Sequence, residues 1–219
     1  MREADPDRTS ELFERVAALL QLAHTALSQA TAVLSRPAVK GGKRMAAVNR
    51  TLGDLWDEAE DLASNGLTTG ADREADIRTV ITDMYVGEDV GRMGVLARQV
   101  GDIAWARQTK PPLPAPVRDA VQRIADDCLA LIGRAHDAVV SPAAEPVTEA
   151  HLADIADQQL RLCRMVLSDS GSLDVVNAVD TSVLSRCYVE CAQRAAAVSL
   201  HMALLRETAP PPEPRHREG

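Results

Sequence analysis

The chain has 219 residues, 46% of them hydrophobic but only 2% aromatic, and a formal net charge of -8. That length suits one good-sized domain or two small ones, and a core built from alanine, leucine and valine packs better as helices than as sheets. The acidic balance argues against broad nucleic-acid binding, and no run of about 18 apolar residues stands out as a membrane span.

The first helix is expected to start near Ser10, a plausible N-cap, with Leu12, Phe13, Val16, Leu19, Leu20, Ala23, Leu27 and Ala30 on its apolar face. The opening "MREADPDRTS" has no apolar signal core, so a cytoplasmic protein is expected. Pro37 and "VKGG" read as a loop, and the basic residues around it, Lys40, Lys43, Arg44 and Arg50, as a solvated helix start.

The second helix is predicted over about 43–63, with Leu52, Leu55, Trp56, Ala59 and Leu62 as its stripe and "SNGLTTG" as its end. The third runs over about 72–107. Ile77, Val80, Ile81, Met84, Val90, Met93, Leu96, Val100 and Ile103 recur mostly at three and four, over roughly 50 Å of helix. "TKPPLPAP" stops it and reads as a stiff bundle boundary.

The second half repeats the plan. Helix four, with Pro116 in its first turn, reaches about Val140; its stripe includes Val121, Ile124, Cys128, Leu131, Ile132 and Ala135. Helix five spans about 147–167. Helix six, capped by Ser172 with Asp174 in its first turn, runs to about Arg206. The expected fold is all-α: two tandem three-helix bundles, 8–108 and 115–207, related by an internal pseudo-twofold repeat, followed by a disordered proline-rich tail over 208–219. A shift of 98 places Ile77 over Val175, Ile81 over Val179, Ala97 over Ala195 and Val100 over Val198, core on core.

Four cysteines, Cys128, Cys163, Cys187 and Cys191, include no CxxC pair; Cys187 and Cys191 share a helix face and read as small hydrophobes in a reducing compartment. The five histidines are scattered, none beside a serine or cysteine nucleophile, and the neighbours His136 and Asp137 project in different directions from their helix. Neither a phosphate-binding glycine loop nor a di-iron Glu-x-x-His pair is present, so no enzyme and no cofactor are expected.

Helix three carries Gly87, Gly91 and Gly94 on one face and Gly101 beyond. Each costs about 1 kcal/mol of helix propensity relative to alanine, and close approach of a neighbouring backbone is the expected compensation. The stretch "DIRTVITDMYVGEDVGRMGVLARQVGDIA" resembles the signature helix of the PhoU family of phosphate-uptake regulators, with Asp76-Ile77-Arg78 at its start and Asp89, Gly91, Arg92 and Gly94 at its centre. "VLSRCYVECAQRAAAV" is similar to the family's second copy through Arg186, Ala192 and Ala195, with Glu190 near the motif centre.

The resemblance implies a regulatory adaptor of phosphate transport and phosphate-responsive signalling. Its partners would be a transporter ATPase subunit and a sensor histidine kinase, with a homodimer as the working assembly and membrane association only through partners. A divergent bundle serving another pathway is the alternative, and a small helical enzyme a remoter one. The family's long helices each carry a Glu-x-x-x-Asp pair that holds metal. Here those positions are Gly91 and Val95, then Val189 and Gln193, and Arg194 stands where the family often has histidine. No metal is therefore expected. Arg78, Asp89, Gly91, Arg92, Gly94, Arg186 and Glu190 remain as packing or interaction positions.

Overall fold

A computed structural model describes residues 6–34, 41–68, 74–168 and 174–208. Among the described residues there are six α-helices and no strands: α1 (Pro6–Leu34), α2 (Gly41–Thr68), α3 (Glu74–Ala106), α4 (Ala115–Val140), α5 (Glu149–Ser168) and α6 (Val175–Thr208). A single 3₁₀ turn, Arg107–Thr109, follows α3. Helices α1, α2 and α3 form one three-helix bundle and α4, α5 and α6 the other. The two lie side by side through α1 against α4 and α3 against α6, and share one continuous core.

The helix ends depart from expectation in instructive ways. Helix α2 takes in Gly41 and Gly42 and continues through "SNGLT" to Thr68. The predicted cap Ser172 and the segment 209–219 lie outside the described residues. Helix α6 is capped instead by Asp174, whose Oδ1 accepts the Asn177 N–H at 2.7 Å. At the start of α5, Thr148 accepts the His151 N–H while its own N–H donates to His151 Nδ1 at 3.2 Å. This is a capping box with imidazole in the place usually held by Glu or Gln. His136 Nδ1 reaches back to Asp137 Oδ1 at 3.2 Å, so these neighbours do pair at the exposed rim of α4 despite their divergent Cβ directions.

Ser10–Leu34 is long and apolar enough to cross a membrane by length and composition, although it holds no unbroken apolar run. Just over half of that window, 56%, is buried within the protein, where α1 packs on α2, α3 and α4. The small residues Ala23, Ala26 and Ala30 let those neighbours approach.

Polar ties join the bundles inside the core. Thr31 on α1 shares a hydrogen bond with the hydroxyl of Tyr188 on α6 at 2.9 Å, and both residues are buried. Burial pushes the Tyr188 phenol well above its ordinary pKa. Arg107, only 8% exposed, donates to Asn177 Oδ1 (2.7 Å), Asp180 Oδ2 (3.0 Å) and the Pro111 carbonyl. Lys110 joins the same Asp180 oxygen at 3.2 Å, so the proline segment between the bundles is clamped to the start of α6. Arg206 donates to the Ala138 and Val139 carbonyls at the end of α4, and its guanidinium lies 4.4 Å over the Phe13 ring.

The 98-residue register places core on core for Val86 and Leu184, Val90 and Tyr188, Met93 and Cys191, Ala97 and Ala195, and Val100 and Val198, every one buried. Ile77 over Val175 and Ile81 over Val179 also match, but as exposed pairs, and Met84 is exposed with them. The reason is helical phase. The core face of α3 carries residues 86, 90, 93, 97 and 100, whereas 77, 81 and 84 belong to a second apolar stripe on the other side. Sequence periodicity merged the two faces into one.

Candidate functional site

Helices α3 and α6 run antiparallel. Their contacts pair rising numbers with falling ones: Asp89 with Arg194, Arg92 with Glu190, Gln99 with Cys187 and Arg107 with Asn177. At the crossing, Arg92 Nε donates to Glu190 Oε1 at 2.7 Å. Arg194 Nη1 donates to Asp89 Oδ1 at 2.8 Å, with the Asp89 carboxylate buried. Two cross-bundle ion pairs thus flank the crossing, one with the cation on α3 and one with it on α6. The Glu190 carboxyl is held below the usual range, first by the hydrogen bond from Arg92, then by the charges of Arg92, Arg186 and Arg194. His201 Nε2 stands 4.0 Å from Asp89 Oδ2, and its ring stacks on Tyr85 at 5.3 Å.

Of the residues singled out in the sequence, the structure gathers Asp89, Arg92, Glu190 and Arg186 at this crossing. Arg78 does not join them: it is an exposed residue near the start of α3, about 21 Å along the helix from Arg92 at 1.5 Å per residue. Sequence reasoning missed Arg194 as a site residue. Its pairing needs the antiparallel register of α3 and α6, which no local motif encodes.

The glycines correct an expectation. A Cβ built on Gly91 would meet nothing within 4 Å, so no neighbouring backbone presses on it. Gly94 is closely packed, but against side chains: its Cβ would lie 2.8 Å from Trp56 Nε1 and 3.1 Å from Leu55 Cδ2. Gly101 faces Met45 and Ala30. Shared helical phase did not give these glycines a shared neighbour.

The residues do not fit a metal cluster. The positions where the family carries its carboxylate pairs are glycine, valine or glutamine; of the carboxylates that remain, Asp89 and Glu190 are each engaged by a guanidinium and Glu88 is exposed on α3. Among the described residues no three His, Cys, Asp or Glu side chains gather as a metal would require. Cys128, Cys187 and Cys191 are buried free thiols. Burial raises the Cys187 thiol to about 11, which keeps it protonated and unreactive.

Two surface features adjoin the crossing. A cleft of about 540 Å³ between α5 and α6 is lined by Gln159, Arg186, Val189, Glu190, Gln193 and Arg194. Alongside the Tyr85–His201 stack, Ile81, Met84 and Tyr85 on α3 and Leu200 and Leu204 on α6 are each about half exposed.

Two three-helix bundles packed through their long third helices, with cross-bundle ion pairs at the α3–α6 crossing, define an all-α tandem-bundle protein. No protein-family profile matches the chain. It is 27% identical over 201 residues to the "Phosphate-specific transport system accessory protein PhoU homolog 2" of Mycobacterium tuberculosis and to that of Mycobacterium bovis, covering 91% of this chain and 94% of each relative. It is 26% identical to PhoU homolog 1 of Mycobacterium leprae, over 91% of this chain and 90% of that one. Over nearly its whole length the chain is similar to these PhoU homologues.

Proposed function

We propose that the protein is an accessory regulator of phosphate-specific transport that works by binding, without a covalent step and without bound metal. The observation that carries this reading is the end-to-end match to relatives named for that role, over 91% of the chain. The partners are the ATPase subunit of the transporter, the sensor kinase that reads phosphate, or both, and the protein acts in the cytoplasm as a homodimer.

The exposed apolar residues beside the α3–α6 crossing support this reading. Ile81, Met84, Tyr85, Leu200 and Leu204 form an apolar patch bordered by the Arg194–Asp89 pair, which is the usual composition of a docking face: an apolar centre with a charged edge. The test is affinity purification of the native protein from cells grown in high and low phosphate, with metal analysis of the same sample. Recovery of a transporter ATPase or a histidine kinase, changing with phosphate and free of stoichiometric metal, is the expected result. Absence of both partners in both conditions overturns the reading, and stoichiometric metal overturns its metal-free part.

A further inference from the structure

The cleft between α5 and α6 is rich in hydrogen-bond donors. Arg186, Glu190 and Arg194 follow one another at four-residue intervals and so form a single stripe along α6. Val189 and Gln193 lie beside the stripe and Gln159 faces it from α5. Glu190 is the carboxylate within the lining, and Arg92 neutralises it from α3 at 2.7 Å. Arg194 spends one Nη1–H on Asp89, which leaves most of its five donors uncommitted to that pair. Arg186 is exposed and makes no hydrogen bond or ion pair among the described residues.

Arg186 and Arg194 lie two turns apart on the same helix. Their Cα atoms are about 12 Å apart at 1.5 Å per residue, and Glu190 stands between them on the same stripe. A lone orthophosphate meets one guanidinium. An elongated anion can lie over the Val189–Gln193 floor and meet both. The amides of Gln159 and Gln193 in the lining favour a ligand rich in acceptor oxygens over one with a hydrocarbon middle.

We infer that this cleft binds a short condensed phosphate, two or three phosphoryl groups joined in a chain, with Arg186 and Arg194 at its two ends. Guanidinium forks suit phosphoryl oxygens and hold them bidentately. The site is independent of any transporter or kinase, so its failure and the failure of the adaptor reading are separate results.

The test is titration calorimetry of the full chain with pyrophosphate and tripolyphosphate, against orthophosphate and succinate, in magnesium-free buffer. The condensed phosphates are expected to bind at least about tenfold more tightly than either control. Arg186→Gln removes one guanidinium and Gln193→Glu places a carboxylate on the floor. Each is expected to weaken pyrophosphate by about tenfold or more with an unchanged melting temperature, since both side chains are exposed. No pyrophosphate binding, orthophosphate or succinate binding as tightly, or affinity untouched by both substitutions overturns the inference.

Discussion

Arg92 and Glu190, joined at 2.7 Å across the α3–α6 crossing, are 98 residues apart, which is the offset of the internal repeat. Each therefore occupies the other's position in its own bundle, and the pseudo-twofold axis passes between them. In a perfect repeat, identical residues would meet here, and a charged residue would meet its own charge. Divergence of the halves has turned that position into a salt bridge.

A charge swap tests this directly. Arg92→Glu leaves two carboxylates facing each other and is expected to lower stability by about 1 kcal/mol, because the pair is only partly buried. The double exchange Arg92→Glu with Glu190→Arg restores most of the loss. Denaturant unfolding of the native chain, Arg92→Glu, Glu190→Arg and the double exchange measures the coupling. A double exchange no more stable than the single variant would mean that the pair has no role in holding the bundles together.

Gly91 and Gly94 should respond to alanine with opposite signs. At Gly91 the new methyl meets open space, so Gly91→Ala gains helix propensity of about 1 kcal/mol and raises the melting temperature by about 2–4 °C. At Gly94 the methyl lands 2.8 Å from the Trp56 indole nitrogen with Leu55 behind it, and overpacking costs about 1–3 kcal/mol. Thermal melts of the two variants separate these outcomes, and equal shifts would contradict the packing described.

The Thr31–Tyr188 bond offers a measure of the core's polar tie. Tyr188→Phe keeps the ring and removes the hydroxyl, while Thr31 retains its bond to the Leu27 carbonyl at 2.8 Å. The expected loss is about 1 kcal/mol, against about 3–5 kcal/mol for Tyr188→Ala. Chemical denaturation reads both, and a Phe variant as damaging as the Ala variant would show that the hydroxyl, not the ring, carries the contact.

Stability should fall as the solution is acidified below neutrality. Burial, then the nearby His136, lowers the His24 pKa from its ordinary 6.5, so the unfolded chain binds a proton more readily than the folded one. The stability His24 loses appears as pH drops through 6.5 and continues until the folded pKa is reached. Glu190 adds a second loss at lower pH, below its ordinary 4.5, because its folded pKa is depressed. Melting temperatures of the native chain and His24→Gln between pH 7.5 and 5.5 test the first window; the variant should show the shallower slope.

Helix number, helix length and the 98-residue register were legible because apolar periodicity survives divergence: Val90 still sits over Tyr188 and Val100 over Val198. What escaped was whatever depends on which face meets which neighbour. Ile77, Ile81 and Met84 have the spacing of core residues and lie exposed, because apolar spacing cannot separate an exposed stripe from a buried one. Gly91 and Gly94 differ only in what lies opposite. Arg92 was visible as a motif residue, but Arg194 and Asp89, 105 positions apart in sequence, become partners only once their two helices are laid antiparallel.

The pseudo-twofold axis at Arg92 and Glu190 also gives the α3–α6 face a direction. Rotation about it carries the apolar cluster of Ile81, Met84, Leu200 and Leu204 onto Val179, Ser182, Asp102 and Ala106, a smaller and more polar set. The mirror end keeps exposed apolar groups of its own, Trp105, Val175, Val176 and Val179, in a different arrangement. The two ends are therefore related by the repeat in position but not in side-chain chemistry, and they are not equivalent surfaces.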